Sequence, residues 1–201
     1  MEVVIISRAT FESGSEFELA IVDGLQMMNK FNVFWNLSLP EKNRIGRPHE
    51  LDVLCTIGYD IIAVEAKKYR KLNGNTGDEF WLFTDSWNRV LERKSPVLQN
   101  EENIQLLGRT LCRRGFTEIR KVRPFNFVVV SNNCEVVSNS KNVYILEDFL
   151  ELTDRCWQPC EDCKELNEIL EDMYLEQITR NLRRKASLQA RYKNHNDSLM
   201  D

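Results

Sequence analysis

Apolar and polar positions change period several times along this chain, and each change marks an element. Residues 14–29 set Glu18, Ile21, Leu25 and Met28 at i, i+3, i+7 and i+10, one face of a helix. Residues 31–39 read as a strand ended by Pro40, and residues 41–48, with Gly46 and Pro48, as a loop or hairpin turn. Two strands follow at 49–57 and 59–67, joined tightly through Gly58 as a hairpin. Residues 68–86 hold Gly74 and Gly77 among polar residues and read as a long loop or irregular ribbon, with Trp81, Phe83 and Trp87 in or just after it. Ser95 is a good N-cap and Pro96 suits the first helical position. Ile104, Leu107 and Leu111 line that helix, which stops near Gly115. FNFVVVS, residues 125–131, is a continuous apolar run, the mark of a strand covered on both faces. A strand at 143–146 and a short helix at 147–152 come next. Residues 159–192 form one long helix or two, with Leu166, Leu170 and Met173 on one face. This order predicts a three-layer α/β arrangement around a mixed sheet.

Composition narrows the classes. With 201 residues, of which 42% are hydrophobic, the chain has one domain's worth of core with room for a short appendage. The net charge of −4 excludes a polybasic binder, so any contact with nucleic acid must come from local basic patches. No run approaches the ~18 apolar residues of a membrane span. The start, MEVVIIS, lacks the basic end and long apolar stretch of a signal peptide. A cytoplasmic protein is expected, with no membrane partner and with its six cysteines as thiols.

The chemistry gathers on the predicted hairpin. Side chains in a strand alternate faces, so Glu50, Asp52 and Leu54 share one face, and so do Glu65 and Lys67. A hairpin register can set Asp52 beside Glu65 and Lys67. Ionised groups in an apolar strand are costly unless paired or bound to metal, and IIAVEAKKY drops an acid and a base together at the end of such a strand. Two close carboxylates suit a divalent cation, which acidifies water and shields a phosphate. Lys67 is then placed to orient the attacking water or to stabilise the charge-rich transition state. Glu18 is the candidate third acid and Gln99, in the first turn of the next helix, a candidate hydrogen-bond donor to phosphate or to metal-bound water. The plainer alternative for Glu65 and Lys67 is a solvent-facing pair near a strand end, for Glu18 a surface acid, and for Gln99 an ordinary helix-start residue.

With those residues in view, the chain resembles the nuclease-related domain family, a branch of the PD-(D/E)xK nucleases. GSEFELAIVDGL (14–25), HELDVL (49–54), IIAVEAKKY (61–69) and SPVLQN (95–100) carry the resemblance, in that order, and it spans about residues 12–150. It implies a restriction-endonuclease-like α/β fold in which Asp52, Glu65 and Glu18 bind Mg²⁺ or Mn²⁺, Lys67 is the catalytic lysine and Gln99 assists. The implied activity is hydrolysis of DNA phosphodiesters. The alternative is a catalytically silent nucleic-acid-binding or scaffolding module of a larger processing or defence complex. A homo-oligomer, or a helicase-like or defence-complex partner, is the companion expected for such a domain. Two features depart from the pattern: Pro48 does not immediately precede Asp52, and Glu50 adds an acid where an uncharged residue is expected. Glu16 competes with Glu18 for the helix role.

The expected division is a nuclease-related domain over residues 1–153 and a helical carboxy-terminal extension with a basic tail over 154–201. Lys68, Arg70 and Lys71 lie by the site as candidate nucleic-acid contacts. Arg180, Arg183, Arg184, Lys185, Arg191 and Lys193 make the tail basic, which is the ordinary character of a solvated helix face. Cys156, Cys160 and Cys163 have a metal-binding spacing without an evident fourth ligand, and the expectation is that Cys160 and Cys163 begin the last helix as small packing residues. Trp81 and Trp87 either stack on bases or cap the sheet.

Overall fold

Apolar runs interrupted by turn residues set the architecture of the computed structural model, which describes residues 16–42 and 48–197. The expected turn at 41–48 and the amino-terminal run lie partly or wholly outside the described residues. Helix α1, Glu16–Met27, turns Phe17, Ile21, Val22 and Leu25 inward. Strands β1 (Asn32–Lys42), β2 (Pro48–Ile57) and β3 (Asp60–Lys67) form an antiparallel meander. Gly58 makes the β2–β3 turn with φ 57°, a conformation that glycine adopts without penalty. Strand β1 does not end at Pro40 but runs on to Lys42, with a shift of register after Leu39. It is an edge strand of its sheet, where a residue without an N–H can be accommodated.

After β3 the chain leaves this sheet. Residues 68–86 are not a loop. They hold β4 (Lys71–Asn73) and β5 (Phe80–Thr84), and β6 (Val90–Lys94) follows. Helix α2, Pro96–Arg113, starts at Ser95, whose hydroxyl accepts from Leu98 N. A 3-10 turn at Ile119–Lys121 leads into β7 (Arg123–Val130), then β8 (Glu135–Val137), β9 (Val143–Ile145) and helix α3 (Leu146–Cys156). The last helix, α4, runs unbroken over Lys164–Asp197. It begins at Lys164 and not near Pro159, so Cys160 is exposed ahead of the helix and only Cys163 packs inward.

Two mixed sheets result, β1-β2-β3-β7-β9 and β6-β5-β4-β8, with β3, β7 and β9 mutually parallel. The large sheet is apolar on both faces because helices cover both. Ile62, Val64, Phe127 and Val129 face α1 and α3, where Phe149 and Trp157 close the layer. Leu54, Ile61 and Ala63 face α2 and α4 through Leu107, Leu111, Leu166 and Leu170. Helix α4 is tied down by polar contacts as well: Thr56 donates to Asn167 at 2.7 Å, and Gln177 bridges Ser38 N and Asn36 O across β1. The small sheet packs Leu72, Trp81 and Phe83 on Val128 and Val130 of β7. Gly74 makes room for this, since a Cβ there would lie 2.1 Å from Trp81 Cγ. These layers are those of the restriction-endonuclease-like α/β fold. No helix among the described residues is long and apolar enough to cross a membrane.

Candidate active site

Alternation along β3 sends Ile61 and Ala63 into the core under α2, and the same face then presents Glu65 and Lys67. The β2–β3 ladder runs from Ile57↔Asp60 to Val53↔Val64, which makes Asp52 the next residue beyond its end. In place of a backbone bond there, Asp52 Oδ2 accepts from Ala66 N at 2.9 Å. Asn36, between the paired residues Trp35 and Leu37 of β1, has φ 53°, so β1 is irregular where Asp52 sits, at the point where the β2–β3 ladder has ended.

Glu65 is the hub. Its side chain is 1% exposed, and Oε1 accepts from Lys67 Nζ and from Gln99 Nε2, the latter at 2.6 Å. Oε2 is buried and has no hydrogen-bond partner among the described residues. Lys67 is 21% exposed, so solvent reaches it. Glu18 comes from α1, on the other face of the sheet, and accepts from Trp35 Nε1 at 3.0 Å. Its charge is felt by both Asp52 and Glu65. Glu16, by contrast, is 95% exposed and lies 4.0 Å from Lys68 on the surface, which leaves Glu18 as the helix acid near the site.

The electrostatics follow from this crowding. Burial, and then the neighbouring Glu65, push the Asp52 carboxyl up to about 7, against the pull of Lys67. Burial raises Glu65 too, opposed by Lys67. For Lys67 burial acts downward, but Glu65 and Asp52 outweigh it and hold the ammonium above the ordinary lysine value. The cluster therefore holds two acids that resist ionisation and a lysine that resists losing its proton.

Asp52, Glu65, Lys67 and Gln99 thus come together from the β2–β3 hairpin and α2, while Glu18 stays with Trp35 and acts on Asp52 and Glu65 only through its charge. Lys68 and Arg70 are exposed just beyond Lys67; Arg70 donates to Asn88 at 2.7 Å, and Lys71 pairs with Glu135 at 2.6 Å. Residues 13–132 match the family model of the nuclease-related domain. The chain belongs to the nuclease-related domain family. Neither a curated protein nor a solved structure matches it. Nuclease-related domains belong to a superfamily that typically uses divalent metals. Among the described residues here, no three His, Cys, Asp or Glu side chains are gathered so as to hold a metal ion. Asp52 and Glu65 form a pair, with Glu18 hydrogen-bonded to Trp35. The orphaned Oε2 of Glu65 beside a second carboxylate fits a hard cation, since Mg²⁺ binds through one or two carboxylates and keeps several waters.

Residues that hold this cluster of the nuclease-related domain in place escape a reading of the sequence. Asn100, fully buried, donates to Ala63 O and Asn126 Oδ1 at 2.9 Å and to Phe127 O at 3.2 Å, fixing α2 across β3 and β7. Asn126 returns a bond to Val97 O at 2.9 Å. Asn103 donates to Glu50 O at 2.8 Å and meets His49 Nδ1 at 3.0 Å. One signal was available: Asn126 is the lone polar residue inside the run FNFVVV. Trp81 is buried in the small sheet, so of the two tryptophans singled out only Trp87 is free to meet a ligand.

Proposed function

We propose that this chain is a divalent-metal-dependent phosphodiesterase that hydrolyses DNA, acting in the cytoplasm. The observation that carries the proposal is Glu65: one oxygen is held by Lys67 and Gln99, and the other is buried without a hydrogen-bond partner among the described residues, close enough to Asp52 for the two charges to repel. A buried, unsatisfied carboxylate oxygen is costly, and a pair of such acids is costlier. A function that needs both acids explains why they stand there.

Asp52 and Glu65 would hold Mg²⁺ or Mn²⁺, with Glu18 as the third acid. When bound, such an ion acidifies water and shields the negative charge of a phosphate. Gln99 fixes the rotamer of Glu65 by occupying Oε1, leaving Oε2 for the cation. Lys67 stays charged and partly open to solvent, and it would face the charge that develops on the phosphate oxygens. Lys68, Arg70 and Lys71 would contact the backbone of the bound strand. Residues 1–153 would carry the catalytic groups, and residues 154–201 would be an extension whose Leu166, Leu170 and Met173 complete the same core and whose end is the basic tail. A second reading has one observation in its favour: no three acids enclose a metal site among the described residues. In that reading the fold serves as a binding or scaffolding module in a larger nucleic-acid-processing or defence complex.

The test is incubation with single- and double-stranded DNA in Mn²⁺, Mg²⁺ or EDTA. Cleavage is expected with metal only, and Asp52→Ala, Glu65→Ala and Lys67→Ala should each abolish it. Loss of Lys67 should lower kcat by ~10²–10³ with little change in binding. Undiminished cleavage by all three variants would reject this site. Tight binding without cleavage would favour the second reading.

A further inference from the structure

The four tryptophans have different fates. Trp35, Trp81 and Trp157 are buried, whereas Trp87 is 75% exposed at the tip of the β5–β6 hairpin. That tip is built to hold it. Asp85 Oδ1 accepts from Trp87 N at 2.9 Å and from Arg89 N at 3.0 Å, and Asp85 Oδ2 accepts from Arg89 Nε at 2.7 Å. Asn88 closes the turn with φ 62°. The Arg89 guanidinium, fixed in this way, lies 4.8 Å from the centroid of the Trp87 ring. One face of the indole carries a cation, and with most of the residue in solvent the other face is open.

The tip is also next to the candidate active site. Arg70 donates through its backbone to Thr84 O at 2.8 Å and through its guanidinium to Asn88 Oδ1 at 2.7 Å. Arg70 is only three residues beyond Lys67, a span of at most about 11 Å. In a chain with net charge −4, the two segments that meet here, 68–71 and 85–94, hold six basic residues (Lys68, Arg70, Lys71, Arg89, Arg93 and Lys94) against Asp85 and Glu92. Lys68, Lys71, Arg89 and Lys94 are paired with Glu16, Glu135, Asp85 and Glu102, so the feature that points to a ligand is the exposed indole backed by an arginine. Such an aromatic holds unpaired bases, since every base has a stacking face, and nearby basic side chains meet the backbone.

We infer that Trp87 is a stacking platform for an unpaired base of single-stranded DNA whose backbone passes Lys67; this rests on the nuclease reading and names its substrate class. Bases inside a duplex have both faces occupied and cannot use the platform, so single strands, or frayed and unwound ends, are the preferred substrate.

The experiment measures anisotropy of a short fluorescein-labelled oligothymidylate and of a duplex, in EDTA. The single strand should bind more tightly than the duplex. Trp87→Ala should weaken single-strand binding about tenfold or more and move duplex binding little, while Trp87→Phe keeps most of the affinity. Unlabelled oligothymidylate should quench tryptophan emission in the parent and not in Trp87→Phe. Equal affinity for duplex and single strand, no binding of the single strand, or an unchanged Kd in Trp87→Ala would each overturn the inference. So would a dimer that Trp87→Ala converts to monomers in sedimentation, since the occupant would then be a second copy of the chain. Cleavage abolished by Lys67→Ala but untouched in rate and KM by Trp87→Ala would refute the platform alone. Trp87-dependent binding without cleavage in any metal would refute the nuclease reading alone.

Discussion

Replacing Asp52 by Asn should make the metal-free protein more stable in mild alkali and change it little in mild acid. The side-chain oxygen of Asn can still accept from Ala66 N, so the bond that closes the end of the β2–β3 ladder survives. What disappears is the charge. The Asp52 carboxyl sits at about 7 in the fold against an ordinary 3.8. A folded pKa above the unfolded one means that the stabilising contribution is complete below the unfolded value and is lost as pH rises through the folded value. The window therefore runs from about pH 4 to pH 7. A displacement from 3.8 to about 7 corresponds to at most about 4 kcal/mol, and solvent reaching the half-buried side chain trims that figure. Between about pH 5 and pH 8 the parent should lose about 2–3 kcal/mol through this group, and Asp52→Asn should not. Guanidinium unfolding of both proteins in EDTA near each pH gives the difference directly. Parallel pH dependences for the two would refute the premise that Asp52 is held near neutrality by its surroundings. Mn²⁺ should restore the parent at the higher pH and leave Asp52→Asn behind.

Three further outcomes follow from the packing and the charge distribution. Asn100→Ala removes donors to Ala63 O, Asn126 and Phe127 O and should cost about 1–3 kcal/mol in denaturant titration, with a lowered Mn²⁺-dependent cleavage rate because α2 also carries Gln99. Gly74→Ala forces a Cβ to within 2.1 Å of Trp81 Cγ and should destabilise by at least the ~1–3 kcal/mol of ordinary overpacking, read as a shifted denaturant midpoint. Removing residues 180–201 should flatten the salt dependence of duplex binding by about 0.9 for each phosphate that the tail had neutralised; an unchanged slope would separate the basic tail from the nucleic acid.

The hairpin was legible because its turn glycine and its two apolar strands stand side by side in sequence. The face shared by Glu65 and Lys67 was equally legible, being only a matter of spacing. The helix at Ser95 announced itself through a cap whose hydrogen bond is local. The small sheet was not legible for a physical reason. In β5 the exposed residues Phe80 and Leu82 are as apolar as the buried Trp81 and Phe83, so the alternation of burial leaves no alternation of polarity. Strand β4 is three residues long and offers no period to read. The choice between Glu16 and Glu18 depended on Trp35, a partner across the helix–sheet interface that no local pattern predicts. Pro159 looks like a helix opening, but the chain runs on without helix to Lys164, where α4 begins.

Shared ancestry and structural independence have different boundaries in this molecule. The stretch common to the family stops at residue 132, just past β7. The large sheet continues with β9, and its two faces are finished by α3 and α4. A chain ended at the family boundary would leave β7 as a bare edge flanked by unroofed Phe127 and Val129, an invitation to pair with other molecules. Transplanting this domain into another protein, or trimming it for crystals, therefore requires carrying residues well beyond the part that evolution kept recognisable, at least as far as the Leu166–Met173 stretch that seals the second face.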